Sequence, residues 1–257
     1  MNNRTINTEQ GHWILAKMGK KVLRPGGKEL TLKLVEALEI NTKDTIVEFA
    51  PGLGYTAALA IAKKPGSYTG IELNEEAAAG LRRKFKGENI NIINTNAAET
   101  GMENNCADKV YGEAMLTMQA DHQKSEIIKE AYRLLKKGGR YGIHELGLVP
   151  DQLDPKIKGS IQRKLAQVIK VNARPLTQEE WCFLLESEGF KIKEVYHSPM
   201  LLLEPKRIIN DEGFFRTLKI GFNVLTHPEA RKRILKMREI FKKYENHLAA
   251  FAIIAEK

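Results

Sequence analysis

Residues 45–60 read Thr-Ile-Val-Glu-Phe-Ala-Pro-Gly-Leu-Gly-Tyr-Thr-Ala-Ala-Leu-Ala. An apolar run, Ile46 and Val47, reaches an acid at Glu48, passes a turn of small residues from Ala50 to Gly54, and enters an alanine-rich segment that favours helix from Tyr55 onward. The order is strand, tight turn, helix. Glycine at such a turn lets the backbone approach a ligand, and the first turn of the helix offers unpaired N–H groups. The stretch therefore predicts a nucleotide-like cofactor in an α/β fold.

Two cofactors compete for it. Gly52-Leu53-Gly54-Tyr55-Thr56-Ala57 satisfies the G-x-G-x-x-A form of the dinucleotide fingerprint, and Glu72 follows at the distance of a ribose-binding acid. Glu48, however, places a negative charge where a pyrophosphate gains nothing from one. The order Glu48-x-Ala50-x-Gly52-x-Gly54 resembles the first motif of class I S-adenosylmethionine-dependent methyltransferases, whose cofactor carries an ammonium and a sulfonium and no phosphate. Ala50 stands where that family usually has its first glycine, a replacement suited to a negative φ.

Working outward, the pattern continues to resemble that family. The short strand from Tyr68 ends in Glu72-Leu73-Asn74, where the resemblance assigns Glu72 to the ribose hydroxyls with Leu73 beside it. A helix is expected over about 75–86 and a strand over 90–95. Asn96-Ala97 follows, matching the station that receives the adenine, with Asn96 in place of the usual aspartate. The fourth strand, from Ala107, leaves at Glu113, which the resemblance brings near both the cofactor and the acceptor. Asp121 reads as the N-cap of a helix that closes on Leu134-Leu135-Lys136-Lys137-Gly138-Gly139. A fifth strand then carries His144 and Glu145 toward the carboxyl edge of the sheet, where open α/β sheets place their sites. Glu113, His144 and Glu145 are thus the candidate bases. The Pro-Pro-aromatic motif of base-amino methyltransferases is absent, which counts against N-methylation of adenine or cytosine.

The flanks read as additions. Thr8 can cap a helix over about 9–22, broken at Arg24-Pro25-Gly26-Gly27; a second helix over 28–38 leads into the first strand. Residues 151–174 form a basic helical insert. Thr177-Gln178-Glu179-Glu180 is a capping box, and 191–203 is a strand. A mostly helical stretch, 204–247, carries Phe214, Phe215, Leu218, Ile220, Phe222 and Leu225, either lining a substrate pocket or fastening the insertion to the core. Residues 248–255 supply a last strand. The expected organisation is an N-terminal helical cap (1–30), a cofactor-binding core (31–203), a helical insertion or lid (204–247) and the last core strand (248–257). The fold class is α/β, a Rossmann-like doubly wound seven-stranded sheet with an antiparallel last strand.

The totals constrain partners. Cys106 and Cys182 are the two cysteines of 257 residues, without ligand spacing, so no disulfide framework or metal site is indicated. No apolar run is long enough to span a membrane, and residues 1–10 lack an apolar core, so the chain reads as cytoplasmic. The net charge of +9 is spread over many helices. That favours a solvated lysine-rich surface over a nucleic-acid partner, with an acidic substrate or a membrane-surface contact as further readings. The resemblance is to the small-molecule branch that includes ubiquinone, menaquinone and sterol methyltransferases. It implies in-line transfer of a methyl group from S-adenosylmethionine to a small acceptor, apolar or acidic, by a monomer or homodimer. RNA or protein methylation, a non-catalytic cofactor sensor or scaffold, and a dehydrogenase are the alternatives.

Overall fold

The computed structural model describes residues 10–257. Seven strands form one sheet in the order β3-β2-β1-β4-β5-β8-β7: β1 (Thr45–Phe49), β2 (Ser67–Ile71), β3 (Ile90–Ile93), β4 (Ala107–Glu113), β5 (Leu135–Leu148), β7 (Lys191–Pro199) and β8 (Leu248–Glu256). The two-residue β6 (Leu176–Thr177) adds an eighth at the end of β5. The first five run parallel, while β8 lies antiparallel between β5 and β7. The Rossmann-like sheet with an antiparallel last strand is as the sequence implies.

Helices cover both faces because the inner strands are apolar on both. Val47 and Phe49 point to one side, against α5 (Asp121–Leu134) and α7 (Gln178–Ser187), where Ile128, Leu134 and Trp181 are buried. Ile46 points to the other. There Leu30 and Leu34 of α2 (Gly27–Ala37), Ala57 and Ala60 of α3 (Tyr55–Ala62) and Leu81 of α4 (Glu75–Lys84) close the second core. Beyond the carboxyl ends of the parallel strands stands a further helical layer. It comprises α1 (Gly11–Lys17), α6 (Pro155–Ile169), α8 (Pro205–Glu212), α9 (Phe214–Thr226) and α10 (Pro228–Lys243), of which α1, α6 and α10 are joined through Leu15, Leu165, Met237 and their neighbours.

Several boundaries differ from expectation for identifiable reasons. The first helix stops at Lys17, ahead of Gly19 with φ 103°; Thr8, its expected cap, lies outside the described residues. Ala120 occupies the N-cap of α5, so Asp121 is its first helical residue and pairs with Lys124 and Arg174. The glycine turn at Gly138 does not separate helix from strand. Leu135 already pairs with Ala107 and Arg140 with Lys109, so residues 136–139 bulge out of β5, with Gly138 at φ 77°. The capping box at Thr177 and Glu180 forms as read. No helix among the described residues is long and apolar enough to cross a membrane.

Candidate active site

The strand order reverses between β1 and β4, and the cleft opens at their carboxyl ends, the position where doubly wound sheets hold ligands. Its volume is about 1050 Å³. One end is walled by Ala50, Gly52 and Leu53 of the motif turn, by Glu72, Leu73 and Asn74 after β2, and by Glu113 to Met115 after β4. The other end is walled by the helical layer, with Trp13 of α1, Leu165 and Ile169 of α6, and Met237 and Phe241 of α10.

The motif turn is built for a close approach. Gly52 has φ 56°, and a Cβ added to it would meet nothing nearer than the Ala50 carbonyl at 3.9 Å, so its backbone is open. Gly54 is needed for packing, since a Cβ there would lie 2.6 Å from the Phe85 ring. Ala50 departs from expectation with φ 52°, a left-handed conformation that costs an alanine about 1 kcal/mol. Glu72 lines the cleft and accepts from the N–H groups of Gly52 and Asn74, both at 3.0 Å. Burial pushes its carboxyl up, and those N–H groups pull against that.

The other predicted residues fare differently. Glu48 is 3% exposed and is not among the cleft-lining residues. It shares a face with Tyr68 and Tyr111, whose hydroxyls donate to Oε2 at 2.6 and 2.7 Å; burial pushes its carboxyl up to about 7 despite them. Asn96 and Ala97 do not line the cleft either, and Asn96 Oδ1 accepts from the Ala98 N–H within its own turn.

Glu113 does line the cleft, but its oxygens are taken. Oε1 accepts from Thr31 and from His144 Nδ1, at 2.8 and 2.7 Å; Oε2 accepts from Arg24 at 2.7 Å and from Thr56. Burial alone would raise this carboxyl, but Arg24, His144 and Thr56 outweigh it and hold it at about 2. His144, fully buried, also donates from Nε2 to the Pro25 carbonyl at 2.6 Å. Glu145 is turned to the opposite face of β5, where it accepts from the N–H groups of Met115, Leu116 and Thr117 and from the Thr117 hydroxyl, at 2.7 to 3.0 Å. None of the three candidate bases has a free lone pair directed into the cleft in this arrangement.

Sequence reasoning passed over three residues. Arg24 sits over the Tyr55 ring and ties the N-terminal segment to Glu113 across 89 positions, a partnership no local pattern reveals. Lys20, buried, lies 3.8 Å from both Asp211 and Glu212, and Glu212 accepts from the N–H groups of Lys21 and Val22, so α8 latches the same segment. His12 lines the cleft, and burial lowers its imidazole to about 4, leaving it neutral near pH 7. Of the 204–247 stretch, the side chains singled out in α9 do not line the pocket. Phe214, Phe215 and Phe222 are exposed, and Met237 and Phe241 of the same stretch wall the cleft.

The family model of a methyltransferase domain matches residues 46–139. An uncharacterised protein of Haemophilus influenzae is 33% identical over 97% of this chain and 98% of its own length. Phosphoethanolamine N-methyltransferase of Plasmodium falciparum is 23% identical over 78% of this chain and 82% of its own. Among solved structures, Haemonchus contortus phosphoethanolamine N-methyltransferase 2 in complex with S-adenosylmethionine superimposes with a TM-score of 0.71 at 20% identity, over 99% of this chain and 58% of that one.

Proposed function

The chain belongs to the class I S-adenosylmethionine-dependent methyltransferases, and from that premise we propose that its acceptor is a small, largely apolar molecule carrying one nucleophilic atom. The observation that carries this reading is the division of the cleft. Among the described residues its acids are Glu72 and Glu113, both at the motif end, whereas the helical end is lined by Trp13, Leu165, Met237 and Phe241. A cationic amine would find no acid at that end, and desolvating it without one is costly; the cations of the lining, Lys21 and Arg24, stand on the N-terminal segment and not among these apolar side chains. The distant phosphoethanolamine methyltransferases therefore do not lend their acceptor to this chain.

The cofactor fits the motif end. The open backbone at Gly52 and the Glu72 carboxylate beside it suit a ribose diol, with Leu73 and Asn74 continuing that wall toward the adenine. Arg24, whose guanidinium stands at the cleft wall, complements the carboxylate of the methionyl end. Glu48, away from the cleft, acts in this reading by holding β1, β2 and β4 together through its tyrosines. When bound, S-adenosylmethionine supplies a methyl group already activated for transfer, so the protein's work is alignment and exclusion of water.

His12 is the group we assign to the acceptor's proton. It is neutral and in the cleft, whereas Glu113, His144 and Glu145 are occupied by structural partners. An imidazole held at about 4 is a weak base, which suits a phenol-like or enol-like acceptor better than an alcohol.

Methyl-labelled S-adenosylmethionine, incubated with the chain and panels of apolar phenols and quinols, of carboxylic acids and of phosphorylated amines, tests the acceptor class. Label is expected in the apolar panel, and preferential labelling of phosphoethanolamine would overturn the reading. His12→Gln should then lower kcat more than KM and be partly restored by an acceptor of lower pKa; an unchanged kcat removes His12 from the chemistry.

A further inference from the structure

The insertion that walls the cleft presents a second surface outward. In α9, Phe214, Phe215, Leu218, Phe222 and Leu225 are between 57% and 85% exposed. At helical spacing these five fall within one arc of about 100°. Ile220, on the far side, is buried. A stripe of large apolar side chains in one unbroken run is unusual on a free surface, where single exposed hydrophobics are the ordinary case. The remaining positions of the helix suffice to hold it in place. Ile220 packs near Gly19, and Asn223 donates to the Met18 carbonyl at 3.0 Å.

Charge selects among occupants. Residues 204–247 contain 11 Lys and Arg against 6 Asp and Glu. Lys219 borders the stripe on α9, Lys206 stands on α8, and Arg231, Lys232 and Lys236 on α10; all five are exposed. An apolar stripe bordered by Lys219, on an insertion whose exposed side chains are in cationic excess, is the pattern of a helix lying in a bilayer interface, with its side chains among the acyl chains and its cations among anionic headgroups. A second copy of the chain fits less well. The stripe measures about 20 Å by 10 Å, far below the roughly 800 Å² per partner of a stable interface, and a two-fold contact would set these cations against their own copies.

We propose that the outward face of α9, with Lys219 at its border and the net positive charge of the insertion around it, docks the protein on an anionic membrane surface. Met18, which Asn223 holds, closes α1, the helix that brings His12, Trp13 and Leu15 to the cleft. The docked face and the apolar end of the cleft are thus opposite sides of one helical layer, placed to receive an acceptor dissolved in the bilayer. Docking itself does not depend on the acceptor assignment and is measured without turnover.

Flotation of the full chain with vesicles of phosphatidylcholine, alone or with about 30 mol% phosphatidylglycerol, tests it. Binding to the anionic vesicles is expected, weakening as salt rises from about 0.1 to 0.5 M and falling about tenfold or more in Phe215→Ser/Phe222→Ser. The thermal midpoint should stay within a few degrees, because both side chains are exposed. If that pair fails to fold, Leu218→Ser/Leu225→Ser replaces it. No preference for anionic vesicles, or binding unchanged in the folded variant, overturns the proposal. So does a concentration-dependent dimer in light scattering that the variant abolishes, which assigns the face to a second copy.

Discussion

Glu113 and Glu48 are both buried carboxyls one strand apart, yet their surroundings move their protons in opposite directions. Arg24, His144 and Thr56 overcome the burial of Glu113 and hold it near 2, below its unfolded value of 4.5. Its stabilising contribution, about 3 kcal/mol, is complete above pH 4.5 and lost as pH falls toward 2. Glu113→Gln should therefore destabilise the chain at pH 7 by about 3–5 kcal/mol, since Arg24 loses its counter-ion. Urea unfolding reads this out; a change under about 1 kcal/mol would show that the network does not hold the segment. Glu48 has no cation in direct contact among the described residues, and burial carries it to about 7. The folded state binds that proton more tightly than the unfolded, so the contribution is complete below pH 4.5 and lost as pH rises through 7. His12, lowered to about 4 by burial, runs the other way, losing its contribution as pH falls from 6.5 through 4. The two slopes oppose each other between pH 4.5 and 6.5, so a single profile of the natural chain conceals both. Comparison with Glu48→Gln separates them. The variant should gain about 3 kcal/mol relative to the natural chain between pH 4.5 and 7.5, and a constant difference would place Glu48 ionised throughout.

At the scale of elements, the loop after β4 depends on an acid from a different strand. Glu145 gathers three N–H groups and a hydroxyl, forming the turn over Leu116–Met118 that brings Met115, Thr117 and Gln119 to the cleft. Its removal leaves buried N–H groups without acceptors. Glu145→Ala should cost about 3–5 kcal/mol and raise amide exchange at 115–119 ahead of the rest of the sheet. Exchange unchanged at those amides would show that the turn is held by other means. The same residue marks the limit of what the sequence disclosed. Strand, glycine turn and helix around Gly52 were legible because each rests on neighbours within a few positions, as does the capping box at Thr177. Which of two adjacent residues in β5 faces the cleft is a question of register, and His144 with Glu145 resolve to opposite faces, each with partners some thirty or more positions away. The same holds for Glu48, whose tyrosines come from β2 and β4. Motif position drew attention to these acids, and long-range pairing decides what occupies them. The aromatics of α9 illustrate the converse: their spacing is helical, but only the packed fold shows that the stripe points away from the core.

For the whole molecule, the consequential question is whether one ligand consolidates parts that come from distant stretches of the chain. The motif turn, the loops after β2 and β4, and the N-terminal segment held by Arg24 and Lys20 meet only around the cleft. A ligand that touches all of them and binds the folded chain alone adds stability by mass action, about 2.7 kcal/mol at one hundred times its Kd. In a chain of this size that raises the melting temperature by about 5–10 °C. S-adenosylmethionine and S-adenosylhomocysteine should both produce such a shift, and NAD should not. Gly52→Val isolates the site. Its backbone requires φ 56°, which valine resists, and its side chain would project into the space the turn leaves open. The unliganded variant should melt a few degrees lower, while its shift with S-adenosylmethionine should vanish. Calorimetric titration separates lost affinity from lost fold, because a folded variant that still binds at the natural affinity would mean the cofactor does not lie against Gly52. A shift with NAD alone would instead return the G-x-G-x-x-A reading of the same turn, since both cofactors need an open glycine and differ in whether a phosphate faces the start of α3.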